Sequence, residues 1–379
     1  MKPLLHDWLV IELASVLAGP SVGMFFAELG ARVIKVENPH TGGDVTRSWH
    51  LAQEPTDDDR PAYFCAVNWG KESIALNLKQ PEERAWLEGA LAQADLVISS
   101  FIPGAGRRLG LDAEGLLARH PRLIVAEVSG YGPEVERAAF DAIIQAEAGF
   151  TYLNGVPGQV SKMPVALMDV LAAHQLKEGI LLAHLRRLQT GQGGKVQVSL
   201  LQSGLASLAN QATNWLHAGV VPQPRGSDHP NIVPYGSQFA TADGSLLVLA
   251  VGNDAQFAAL CRVLGEAVPP GFATNHQRVQ QRRAVKDWLA ARLATWTHAD
   301  LLAALLAAGV PAGAVHDMAA AWAQPQARPL RLQAQGCAGL RSFVAQGTGL
   351  EQVALTPPPR LDAQGPALRA QAWEENGEH

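Results

Sequence analysis

Cysteine is scarce in this sequence and poorly placed for crosslinking. Cys65, Cys261 and Cys337 are the only three, widely separated and without a CxxC pair. That argues against a disulfide framework or a thiolate zinc site, and it fits a reducing cytoplasm. The twelve histidines include no HxxxH or HExxH pair, so a metal centre has no support. No uninterrupted apolar run reaches the length of a membrane span. The opening MKPLLHDWLV carries Asp7 beside its apolar patch and does not read as a signal peptide. Basic runs are absent too: the net charge is −5 with both signs scattered, which leaves no footprint for nucleic acid or an anionic membrane. Neither GxxxxGK[ST] nor a GxGxxG after the first strand occurs, so a P-loop or dinucleotide site is unsupported.

What is present is apolar content of 47% over 379 residues, enough for two domains or one large one. WLVIEL (8–13), RVIKVE (32–37), SIALNL (73–78), DLVISS (95–100) and LIVAEVS (123–129) read as buried strands. Between them, VGMFFAELGA (22–31), PEERAWLEGALAQA (81–94) and AEGLLARH (113–120) read as helices. This alternation predicts an α/β fold with a Rossmann-like, doubly wound parallel sheet. DVLAAHQLKEGILLAHLRRLQ (169–189) is one long helix ended by TGQGGK. The Pro- and Gly-rich stretch 220–236 opens a linker over 220–243. We expect a large domain over 1–219, completed by 330–379, and a smaller α/β domain over 244–329.

Two candidate nucleophiles emerge. Gly19-Pro20-Ser21-Val22-Gly23 matches GxSxG, but Ala14 to Ala18 separate it from the first strand, and Pro20 precedes the serine. A hydrolase elbow follows its strand at once, so small residues bringing a helix close to the strand is the better reading. Asp169 follows MPVALM and opens the long helix, between apolar Met168 and Val170. A carboxylate there can be an ordinary cap or a catalytic group, and position alone leaves both open.

The segment VIELASVLAGPSVGMFFAELGARVIKVENP (10–39) resembles the opening of the class III coenzyme A transferases (CaiB/BaiF family), which includes formyl-CoA transferase. The resemblance continues in order through GGDVTR (42–47), NWGKESIALNL (68–78), HPRLIVAEVSGYG (120–132), PVALMDVLAA (164–173), HPNIVPYGSQFATADG (229–244) and GVPAGAVHDMAAA (309–321). It implies that Asp169 is the catalytic carboxylate. It also implies that CoA is held near Val16, Leu17, Lys71, Phe101, Arg108 and Leu109, and that the chain forms an interlocked homodimer. Coenzyme A and acyl-CoA would be substrates, with a small carboxylic acid as acceptor and no permanently bound cofactor. Departures from the family pattern stand at Asn38, Glu72, Ser99, Ser100 and Phe140. They argue against the formyl/oxalyl substrate pair.

The implied chemistry is a covalent relay, with Asp169 kept ionised by the helix dipole and the 220–236 segment closing to exclude water. Two alternatives share the fold. An α-methylacyl-CoA racemase needs a histidine paired with an aspartate, and here Phe140 precedes Asp141; His174 reads as a helix-face residue. A CoA-binding paralogue without turnover would fit the departures but not the retained Asp169.

Overall fold

The computed structural model describes residues 2–102, 104–371 and 373. Pro103 of the 99–104 turn and the tail from 374 therefore lie outside the described residues. The chain separates into two compact units, one from 1–148, 163–209 and 328–379, the other from 149–162 and 210–327.

The first unit is built on a six-stranded parallel sheet. Its strands are β1 (Leu9–Leu13), β2 (Arg32–Glu37), β3 (Lys71–Ala75), β4 (Leu96–Ser99), β5 (Ile124–Ser129) and β6 (Gly194–Ser199). Their spatial order is β3-β2-β1-β4-β5-β6. Ile11, Ile34, Ile74, Val97 and Val125 are fully buried on the sheet, as strands covered on both faces require. Chain direction across the sheet reverses between β1 and β4, paired from Val10↔Leu96 to Leu13↔Ser99. At such a point the loops leaving the two strands diverge and open a crevice at their C-terminal ends.

Helix α1 (Ala18–Glu28) starts earlier than the apolar pattern suggests, because the AGP turn is its first turn. Pro20 is tolerated there, since the opening amides of a helix have no intrahelical acceptor. Gly19 and Gly23 lie against the sheet: a methyl group at 19 would overlap Ala14, and one at 23 would overlap the Glu12 carboxylate. Ser21 is buried inside this helix, so it is no exposed elbow nucleophile. Helices α2 (Pro81–Gln93) and α3 (Ala113–Arg119) bury Leu87, Leu91 and Leu116 in the core. Helix α4 (Asp141–Glu147) and the long α5 (Leu167–Thr190) pack together, and α5 also packs on α1, β5 and β6. No helix among the described residues is long and apolar enough to cross a membrane.

Two parts of the tail are packed. A hairpin of β10 (Arg331–Ala334) and β11 (Cys337–Leu340) buries Leu332 and Cys337 with Met24, Cys65 and Trp69. Further on, Trp86 Nε1 donates to Leu368 O at 2.7 Å.

The second unit holds a three-stranded antiparallel sheet of β7 (Tyr235–Ala240), β8 (Leu246–Ala250) and β9 (Ala312–Ala314). Leu247, Leu249, Phe257, Leu260, Leu289 and Leu305 form its core. Strand β7 falls in the stretch read from sequence as linker. It is an edge strand with alternating exposure, so only half of its residues carry an apolar signal.

Candidate active site

The crevice at the β1/β4 switch is walled by the loops that follow β1, β4 and β5. Ser15 to Gly19, Ser100 to Ile102 and Val128 to Gly130 line one cavity of about 210 Å³, with Phe140, Asp141 and Asp169. Three residues singled out from sequence, Val16, Leu17 and Phe101, thus share a cavity with the fourth, Asp169.

Asp169 does not cap its helix. The N-cap of α5 is Ala166, with no side-chain bond, and Asp169 sits two residues after Leu167. Its side chain makes no hydrogen bond or ion pair among the described residues and is only 7% exposed. Burial, with the nearby Asp141 charge adding to it, pushes its pKa up to about 7. Burial thus works against the ionised form that the helix position was expected to favour. Burial is the larger cause, and Asp141 adds to it: its Oδ1 accepts from Met168 N at 2.7 Å. A foreign carboxylate already occupies the donor end of α5.

Gln145 fixes the approach to that helix. It accepts from Met163 N at 2.8 Å and donates to Asp141 Oδ2 at 2.7 Å and Val165 O at 3.1 Å. Asp141 was noted only as the residue after Phe140 and Gln145 not at all, because their contacts are with a segment about twenty residues away.

Val16 is held in a left-handed conformation, φ +72°, which a β-branched residue rarely adopts. Its amide donates to both carboxylate oxygens of Asp44, at 3.2 and 3.3 Å. Asp44 is paired with Lys35 at 2.9 Å, and Lys35 with Glu12 at 2.9 Å. Lys35 also donates to Ala14 O at 2.7 Å. Burial works against the Lys35 charge, but Glu12, Asp44 and Glu37 outweigh it and hold its pKa above the ordinary value. The loop after β1 therefore rests on a buried ionic network.

That network also corrects the expectation for Lys71. Its ammonium is sealed in the interior, 2.8 Å from Glu12 and donating to Pro20 O and Asn68 Oδ1 at 2.9 Å each. Burial, outweighing the attraction of Glu12, lowers its pKa to about 8. Lys71 is buried in this ion pair and does not line the Asp169 cavity. The cause is strand parity: Lys71 and Ser73 face the interior, while Glu72 turns outward to Arg32 at 2.7 Å.

Phe101 also lines a second cleft of about 530 Å³, together with Leu13, Val36, Leu76, Leu78 and Leu109. Glu37, Asn38, His40, Asn77 and Lys79 supply its polar groups. Leu109, expected from sequence, is here; Lys79 was missed, though it follows SIALNL directly. Arg108 stands exposed on the one-turn helix Ala105–Arg108 and walls neither space. Among the departures, Asn38 caps a turn through His40 N at 3.0 Å, and Ser100 Oγ accepts from Ser15 N at 3.2 Å. Among the described residues no histidine lines the Asp169 cavity, and His174 is exposed on α5.

Known proteins place this architecture. The chain is similar to the succinate–glutarate CoA-transferase of Agrobacterium fabrum, with 39% identity over 87% of this chain and 85% of that protein. It is 36% identical to the acetyl-CoA:oxalate CoA-transferase of Acetobacter aceti, over 95% and 94% of the two chains. The crystal structure of a CaiB/BaiF family protein from Brucella suis superposes with a TM-score of 0.84 at 36% identity, covering 98% of this chain and 99% of that one. The model of CoA-transferase family III matches residues 5–367, and the chain belongs to that family.

Proposed function

We propose that this enzyme moves coenzyme A from an acyl-CoA thioester to a carboxylic acid through covalent intermediates on Asp169. One observation carries the reading: a buried carboxylate with no hydrogen-bond or ion-pair partner among the described residues lines a cavity that shares Phe101 with an apolar cleft. The cleft, with apolar walls and Lys79 and His40 among its lining residues, suits a nucleotide base and its phosphates. The cavity suits the thioester end of the same molecule.

The carboxylate attacks the thioester carbonyl, expelling CoA thiolate and leaving a mixed anhydride on Asp169. The thiolate then attacks the aspartyl carbonyl, forming an aspartyl-CoA thioester and releasing the donor acid. The acceptor carboxylate attacks this thioester, giving a second anhydride and thiolate. Thiolate attack on the acceptor acyl carbon yields the new acyl-CoA and frees Asp169. No water or net proton is consumed, so the thioester is conserved.

The relatives' names include succinate, glutarate and oxalate, and small dicarboxylates are the acids to try first. A homodimer belongs to this reading. Leu181, Leu182, Leu185 and Leu188 form an exposed apolar stripe along α5, of the kind a second copy would cover.

The test is direct trapping. Incubation with succinyl-CoA followed by borohydride should reduce the aspartyl thioester and change the mass of the Asp169 peptide. Asp169→Ala should lower transfer by roughly three orders of magnitude or more, with CoA affinity within about threefold of wild type. Transfer that survives this substitution removes Asp169 from its role.

A further inference from the structure

The Asp169 cavity has an electrostatic problem. Two carboxylates, Asp141 and Asp169, line it, and among the described lining residues there is one cation, Arg137. A substrate with a second carboxylate brings a further negative charge into this space. Without a counter-charge its desolvation and the repulsion from two aspartates oppose binding.

Arg137 is built to meet that charge. Its Nη2 donates to Glu147 Oε1 at 2.8 Å, and its guanidinium lies 4.7 Å from the Tyr131 ring centroid. Tyr131 donates its hydroxyl to the other oxygen of Glu147 at 2.7 Å. These contacts orient the guanidinium while engaging one of its three nitrogens, which leaves donors for a bidentate carboxylate contact. The side chain is 53% exposed and so remains reachable. Two residues on, Ala139 packs so closely on Gly130 that a methyl group there would overlap it. The pKa of Asp169 answers to burial and to Asp141, whereas the Arg137 charge pairs with Glu147.

We propose that Arg137 is a specificity-determining residue that grips the free, non-reacting carboxylate of a dicarboxylic acyl group. The inference rests on the transferase reading above and deepens it.

The experiment uses the full chain and compares two self-exchange reactions, succinyl-CoA with labelled succinate and butyryl-CoA with labelled butyrate. Wild type should favour succinate. Arg137→Gln should raise the KM for succinate and lower the succinate-to-butyrate ratio of kcat/KM roughly 10–100-fold. Arg137→Lys should recover part of that ratio, and thermal melting of both variants should match wild type. Equal loss on both substrates, an unchanged ratio, or a wild type indifferent to the second carboxylate would overturn the assignment while transfer itself stands. No exchange with either pair, together with no borohydride-trapped Asp169, overturns the transferase reading and this inference with it.

Discussion

Asp169 is an acid whose environment resists its charge. The folded state lifts its pKa to about 7 through burial and the Asp141 charge, and in the proposed reaction the nucleophile is the ionised form. The pH profile of kcat/KM should therefore fall on the acid side with a midpoint near 7. In Asp141→Asn the second cause disappears, and the midpoint should move to lower pH; a midpoint that stays put would remove Asp141 from this role. The same shift is a stability statement. A raised folded pKa means that the fold favours the protonated acid, so stability is lost as pH rises from about 4 through 7. Asp169→Asn should stabilise the protein at pH 8 by about 2 kcal/mol or more and have little effect at pH 4, since each pKa unit is worth about 1.4 kcal/mol. Urea unfolding at the two pH values reads this directly. Lys71 and Lys79 separate in the same manner. Lys71→Ala should cost about 3 kcal/mol of stability, because it strips a buried carboxylate of a partner. Lys79→Ala should leave stability alone and weaken CoA binding about 5- to 10-fold in low salt, measured by calorimetry.

At the scale of elements, the contact of α1 with β1 decides where the reactive loop lies. The helix approaches the strand so closely that Gly23 leaves no room for a methyl beside Glu12, which pairs with Lys35 and Lys71. Gly23→Ala should push the helix off the strand, disturb the pairing and destabilise by about 2–3 kcal/mol. Because Lys35 also bonds Ala14 O and pairs with Asp44 under Val16, the loss should come with weaker CoA binding. A melting curve and a CoA titration on one preparation test both halves. Much of this was visible in the sequence: the glycines of the GxSxG decoy read correctly as packing residues. The network beneath them was not, because GGDVTR and VIKVE are separate strings until the fold sets Asp44 beside Lys35.

For the whole molecule, the apolar stripe on α5 is a feature that a lone chain leaves unexplained. Leu182 and Leu188 are 67% and 69% exposed, and burying such side chains is worth about 1.5–3 kcal/mol each. Leu182→Glu with Leu188→Glu should shift the protein from dimer to monomer in light scattering, with the fold retained by circular dichroism. A wild type that is already monomeric would refute the homodimer.

The sequence by itself determined the parallel α/β architecture, because strands buried on both faces must be continuously apolar and crossover helices must carry a 3.6-residue stripe. It also marked Asp169, Val16, Leu17, Phe101 and Leu109, which stand in ordered motifs. Tertiary structure alone decided which charges face the interior and which face a cavity. Lys71 and Lys79 are both lysines near one strand, and only strand parity and the strand's end send one into an ion pair and the other to a cleft. It alone buried Asp169 and brought Asp141 to the donor end of α5, and the two together raise the pKa of Asp169. Charge–charge and desolvation energies depend on distances in space, and spacing along a chain does not encode them.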